Sequence, residues 1–191
     1  MGDDSRVELG IYRSYYDTEL GSGGVVASAA GLLEVVTPFG GSSREKVAEC
    51  IAARYPLAFT ESPLTERAAR LLTSYFAGEP VSFDLPIDFT GVTPFQKSVY
   101  DAVMALQYGV LESYGEIAAR IGRSGAARGV GWAMARNPLP IVIPCHRVVG
   151  GGGKLTGYSA PGGVESKKRL LVMEGAVVEG TAKVKHGKTG G

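Results

Sequence analysis

No α-helix can run through residues 137–144. Asn137-Pro138-Leu139-Pro140-Ile141-Val142-Ile143-Pro144 packs three prolines around a short apolar run. Proline removes a backbone donor and disfavours the helical region in the residue before it. The helix upstream must therefore stop at Asn137. The run Leu139–Ile143 reads as a short buried strand closed by Pro144. Whatever comes next is delivered at the end of a buried element, and that is Cys145-His146-Arg147-Val148-Val149. Positive neighbours and hydrogen bonds favour the thiolate, which is the nucleophilic form of cysteine. The competing reading is a core cysteine beside an incidental histidine, and a Cys-His neighbour pair taken alone favours it. Adjacent residues of a strand point to opposite faces, so cooperation between the two needs a water or a bend.

Upstream, Thr93-Pro94-Phe95-Gln96 is a strong helix start: a capping threonine, proline at the first helical position and a glutamine closing a capping box. That helix should run to about Gln107 with Phe95, Val99, Val103 and Leu106 inward. Tyr114–Gly122 and Ala126–Ala135 then read as two short helices joined at Arg123-Ser124-Gly125, a helix-turn-helix pattern. The second is poor in side-chain bulk, with Ala126, Ala127, Gly129 and Gly131 around Arg128. Glycine weakens a helix, so close approach of another backbone is one reason to keep it there. That backbone is either DNA or another helix of the core.

The first half is a small α/β unit. Val7–Tyr16, Val25–Ala30 and Leu32–Val36 read as strands, the last two joined around Gly31. Ser43–Tyr55 and Leu64–Phe76 read as amphipathic helices. Cys50 falls on the apolar side of the first and is expected to be a buried, structural thiol. No chemistry is evident before residue 90. Residues 78–91 form a linker with Pro80 and Pro86, and the glycine-rich, basic 177–191 stretch reads as a disordered tail. The expected fold class is thus α/β. A small N-terminal domain of sheet and helices (1–90) precedes a mostly helical C-terminal domain (91–176). The latter carries the helix-turn-helix and a short strand bearing the cysteine.

Charge divides at the same boundary. Residues 1–90 carry 7 Lys and Arg against 13 Asp and Glu, giving −6, and residues 91–191 carry 13 against 6, giving +7. A basic half suits a polyanion such as nucleic acid, or it is an uneven soluble surface. Two cysteines and two histidines, Cys50, Cys145, His146 and His186, supply neither a disulfide framework nor a structural zinc site. No apolar run approaches the roughly 18–20 residues of a membrane helix, and Met1–Arg6 has no basic-then-apolar export signal. A cytoplasmic, monomeric protein with no metal, cofactor or membrane partner is expected.

Pro144-Cys145-His146-Arg147-Val148-Val149 resembles the active-site signature of the O6-alkylguanine-DNA alkyltransferases. The flanking order agrees: Tyr114, the small-residue helix with Arg128, Asn137-Pro138, Gly157-Tyr158-Ser159, and a closing Lys167–Glu174 helix. The resemblance covers roughly residues 90–176. It implies that Cys145 takes the alkyl group of O6-alkylguanine, and of O4-alkylthymine, in duplex DNA, irreversibly and once per chain. It implies that His146 serves through water as its base and that Glu174 holds His146. Tyr114 would help extrude the nucleotide and hydrogen-bond the guanine, and Arg128 would fill the vacated stack. Ala126, Ala127 and Gly131 would let the second helix lie in the minor groove. Asn137 would fix the turn before the cysteine. The Cys145 and Val148 carbonyls would read the guanine amino group, and Tyr158 and Ser159 would close on the base. Two features depart from the pattern: Ala160-Pro161 precede Gly162-Gly163, and Trp132 is large for its helix.

The alternative within the same pattern is a non-catalytic sensor that flips damaged bases. Such a protein lacks the nucleophile, and Cys145 argues against it. A transcriptional activator would need a cysteine-rich metal module, and a cysteine hydrolase a separate partner for its histidine. The sequence offers neither.

Overall fold

The computed structural model describes residues 10–176, 178–179 and 183–184. The first half begins with three antiparallel strands, β1 (Tyr12–Thr18), β2 (Gly21–Ala27) and β3 (Leu32–Val36), in the order β1-β2-β3. Tyr12 pairs with Ala27 and Gly24 with Val36, so β2 is central. Helices α1 (Arg44–Arg54) and α2 (Pro63–Phe76) pack against this sheet. Helix α2 starts at a capping box in which Ser62 and Thr65 satisfy each other's backbone donors. The connecting segment is anchored rather than loose. Leu32 N–H donates to the Pro86 carbonyl at 2.8 Å, and Asp88 N–H donates back to Leu32 at 3.0 Å.

The second half holds α3 (Pro94–Met104), β4 (Glu112–Ser113), α4 (Tyr114–Arg120), α5 (Ala127–Ala135), β5 (Val148–Val149) and α6 (Gly163–Met173). Helix α3 has the expected Thr93–Gln96 capping box. Helices α4 and α5 pack on each other and on α3. At Gly129 a Cβ would stand 3.1 Å from the Phe95 ring, so one of the glycines is accounted for by α5 lying on α3. The apolar core runs without a break from Val25, Leu32 and Leu72 to Val99, Ile117, Val130, Ile143 and Leu170. Among the described residues no helix is long and apolar enough to cross a membrane.

Four expectations are corrected. The apolar run Leu139–Ile143 is buried, but as a tight turn and not a strand: Ile143 N–H donates to the Leu139 carbonyl at 2.8 Å. Ile141 sits at φ 77°, the one non-glycine with positive φ among the described residues. Prolines at 140 and 144 remove the donors a ladder would need, so the run folds on itself. Cys145 consequently lies not on a strand but on a single 3₁₀ turn, Cys145–Arg147, immediately before β5. Cys50 is exposed, because only Val47 and Ile51 of α1 face the sheet. Finally, the stretch read as a disordered tail includes β6 (Val178–Glu179) paired antiparallel with β7 (Lys183–Val184). The remainder of that stretch, with His186, and the start of the first expected strand lie outside the described residues.

Candidate active site

Asn137 builds the turn that presents the cysteine. Its side-chain oxygen accepts from Leu139 N–H at 2.9 Å and its amide donates to the Ile143 carbonyl at 2.8 Å. These bonds offset the cost of about 1–3 kcal/mol for a β-branched residue held at positive φ. The 3₁₀ turn that follows sends successive side chains about 120° apart. It supplies the bend that a strand would have lacked, with Cys145 facing one side and His146 another.

Cys145 is 5% exposed and lines a pocket of about 220 Å³ with Tyr114, Gly131, Met134, Ala135, Gly157, Tyr158 and Ser159. Tyr114 reaches this pocket because β4 pairs in parallel with β5, Ser113 opposite Val149, and α4 begins at the next residue. Its hydroxyl donates to the Thr156 carbonyl at 3.4 Å. The Tyr158 hydroxyl is buried and has no hydrogen-bond partner among the described residues. Ala160-Pro161 do not deform the pocket wall into a loose loop. They form a turn in which Gly163 N–H donates to Ala160 at 3.0 Å and Ser166 Oγ to Pro161 at 2.7 Å, fastening it to α6.

Behind the cysteine lies a buried charge cluster. Glu174, at the C-terminal cap of α6, has a fully buried side chain. Its Oε1 accepts from Tyr75 Oη at 2.7 Å, His146 Nε2 at 2.8 Å and Arg147 Nη2 at 2.9 Å. Its Oε2 accepts from Arg147 Nε at 2.9 Å and Gly109 N–H at 3.0 Å. Gly109 has φ 74°, and a Cβ there would stand 2.7 Å from the Glu174 carbonyl oxygen, so glycine is required. Burial opposes ionisation of Glu174, but the hydrogen bonds from His146 and Arg147 and the Arg147 charge outweigh it. The carboxyl is held well below its usual range.

An ionised carboxylate only accepts. The proton on His146 therefore sits on Nε2, and Nδ1 carries the lone pair. Nδ1 is buried and has no protein partner among the described residues. Burial lowers the His146 pKa against the pull of Glu174, so the imidazole rests neutral. Burial likewise pushes the Cys145 thiol up, opposed by the Asn137 amide and the Lys167 charge. Lys167 is itself held down to about 8 by burial, with Cys145 acting the other way. Its ammonium donates to the Val148 carbonyl at 2.5 Å and the Thr156 carbonyl at 3.2 Å.

The structure brings together Cys145, Tyr114, Gly131, Tyr158 and Ser159 at the pocket, and His146 and Glu174 behind it. The Val148 carbonyl, expected to read a base, is engaged by Lys167. Ala127, Arg128 and Gly131 line a second, open groove with Tyr114, while Ala126 packs against the core. Sequence reasoning missed Tyr75, Arg147, Lys167 and Gly109. Tyr75 lies in the half where no chemistry was evident, and its only signal was a hydroxyl on the buried side of a helix.

The family model for the 6-O-methylguanine DNA methyltransferase DNA-binding domain matches residues 94–176. The methylated-DNA–protein-cysteine methyltransferase of Mycobacterium tuberculosis is 52% identical over 103 residues, 54% of this chain and 61% of that protein. The matched stretch thus spans about three fifths of that relative's length. The methyltransferase of the same name from Mycolicibacterium paratuberculosis is 49% identical over 117 residues, 61% of this chain and 69% of that protein. A crystal structure of Mycobacterium tuberculosis OGT in complex with DNA superposes with a TM-score of 0.68 at 36% identity, covering 86% of this chain and 93% of that one. Fold, sequence and the cysteine-bearing turn agree, and the chain belongs to the methylated-DNA–protein-cysteine methyltransferase family.

Proposed function

We propose that this protein repairs duplex DNA by moving the alkyl group of O6-alkylguanine, and of O4-alkylthymine, onto Sγ of Cys145. It acts once per chain, as a cytoplasmic monomer, without cofactor or metal. The observation that carries this reading is a buried cysteine opening into a small pocket on one side and adjoining a carboxylate-held histidine on the other. A base inside a duplex hides its 6-oxygen substituent, so the nucleotide must leave the stack. Arg128, exposed on α5, is long and planar enough to take its place.

The chemistry is a displacement at carbon. The thiol proton passes through a water to His146 Nδ1, the thiolate forms a C–S bond to the alkyl carbon, and the C–O6 bond breaks. Guanine leaves with its electron pair and takes up a proton in net exchange for the one Cys145 lost. Tyr114 donates to the base during departure, and the Tyr158 hydroxyl and Ser159 amide close on it. The thioether has no leaving group of comparable quality, so the protein is consumed.

The decisive measurement uses an oligonucleotide carrying radiolabelled O6-methylguanine. At most one label per chain should transfer, on the peptide containing Cys145. Multiple turnovers, or label on the exposed Cys50, would overturn the proposal. His146→Ala should slow transfer by roughly 10²–10⁴-fold, the range for a positioned proton acceptor. Because the thiol is pushed up by burial, the residual rate should climb with alkaline pH. A variant with the parent rate and pH profile would remove His146 from the mechanism.

A further inference from the structure

Helix α5 carries a feature that neither the pocket nor the core uses. Arg128, Trp132 and Arg136 recur every fourth residue, which aligns them along one face at the helix and its C-terminal cap. Trp132, the chain's single tryptophan, is 64% exposed. An indole is among the largest apolar side chains a core can bury, and leaving it in water serves no folding purpose. The Arg136 guanidinium lies 3.1 Å above the centre of its ring. Among the described residues, neither Arg128 nor Arg136 has a carboxylate partner.

We infer that Trp132 and Arg136 form a preformed clamp for a phosphate of the DNA backbone, extending along α5 from Arg128. This rests on the repair function proposed above. Position argues for DNA as the occupant. Gly131, Met134 and Ala135 of α5 line the Cys145 pocket, and Arg128 borders the open grooves on two sides of the same helix. A strand that delivers a nucleotide to Cys145 must therefore lie against α5. Eight residues of helix span about 12 Å, or three to four nucleotides at 3.4 Å of rise per strand step. Charge complementarity argues for phosphate as the ligand. A guanidinium stacked on an indole keeps the edge of its planar fork free for two parallel hydrogen bonds to phosphate oxygens. The stack also fixes Arg136 before binding, so less ordering is lost when the contact forms.

The single tryptophan makes the test direct. The intact protein is titrated with a fluorescein-labelled, undamaged duplex across a salt series, with anisotropy and tryptophan emission followed together. Emission should change to saturation in step with anisotropy. Arg136→Ala should weaken binding about tenfold and reduce the salt slope by about 0.9, the value of one phosphate contact. Arg136→Lys should keep the slope yet lose part of the affinity, because a lysine does not stack as a fork. Trp132→Ala should weaken binding roughly two- to thirtyfold. Both side chains are exposed, and an unchanged unfolding midpoint would locate these losses in the contact. A parent that binds while all three variants match its affinity and slope, with flat emission, would overturn the clamp alone. A parent that binds no duplex would overturn the repair reading and the clamp with it.

Discussion

Cys145→Ser is expected to reduce alkyl transfer to background while leaving duplex binding intact. The substitution changes one atom in a site that tolerates it. The backbone N–H of residue 145 still donates to the Ile143 carbonyl at 2.7 Å, and the Asn137 turn is untouched. What disappears is the thiol proposed as the nucleophile. A thiol, even one pushed up by burial, ionises within reach of a neutral imidazole, whereas a serine hydroxyl does not. Displacement at a saturated carbon offers no carbonyl for a hydroxyl to add to, so no residual acyl-type route remains. Cys50→Ser supplies the counterpart. Cys50 is exposed, with Arg54 Nη2 at 2.9 Å from its Sγ, and is the other thiol an alkyl donor can meet. Peptide mapping should find the alkyl group on Cys145 in the parent and in Cys50→Ser at equal yield. Transfer that survives in Cys145→Ser would remove the nucleophile assignment outright.

The parts of the fold readable from sequence are those decided locally. The Thr93–Gln96 box starts α3 within one residue of its position because the capping bonds involve neighbours only three residues apart. The helix from Tyr114 is legible for the same reason, whereas the strand before Gly31, expected over Val25–Ala30, runs over Gly21–Ala27 because Gly23 and Gly24 read as a break. The turn at 139–143 was not, since a buried apolar run looks the same whether it extends or folds back. Cys50 lies beside the buried stripe of α1 and not on it, because that stripe consists of Val47 and Ile51 alone. The charge cluster was the least legible part. Its members Tyr75, His146 and Glu174 are up to 99 residues apart, and no spacing rule connects them. Glu174 came from the family resemblance and not from its position. Tyr75 belongs to α2, so the half that showed no chemistry supplies one of the carboxylate's donors.

That cluster sets the largest expected effect on stability. Glu174→Ala leaves Arg147, His146 and Tyr75 buried without their shared acceptor. Removing one partner of a buried ion pair costs about 3–5 kcal/mol, mainly because the other charge is left uncompensated. For a chain of this size that corresponds to a fall of about 6–20 °C in Tm. Glu174→Gln separates charge from shape. Its amide keeps one accepting oxygen but points two donors into a site already filled with donors. The pH dependence follows from the carboxyl held well below its usual range. Between that lowered folded value and the ordinary value of about 4.3, the unfolded chain binds more protons than the native one. Stability from Glu174 is therefore fully present above the ordinary value and is lost as pH falls through the lower one. Urea unfolding should show the gap between parent and Glu174→Gln widest near neutral pH and narrowing below about pH 4. Transfer should fall in both variants by about the factor seen for His146→Ala, and the double variant should fall little further, because the two residues act as one unit. A gap that stays constant with pH, or additive losses in the double variant, would mean that the carboxylate neither carries the charge nor holds the histidine as the bond lengths indicate.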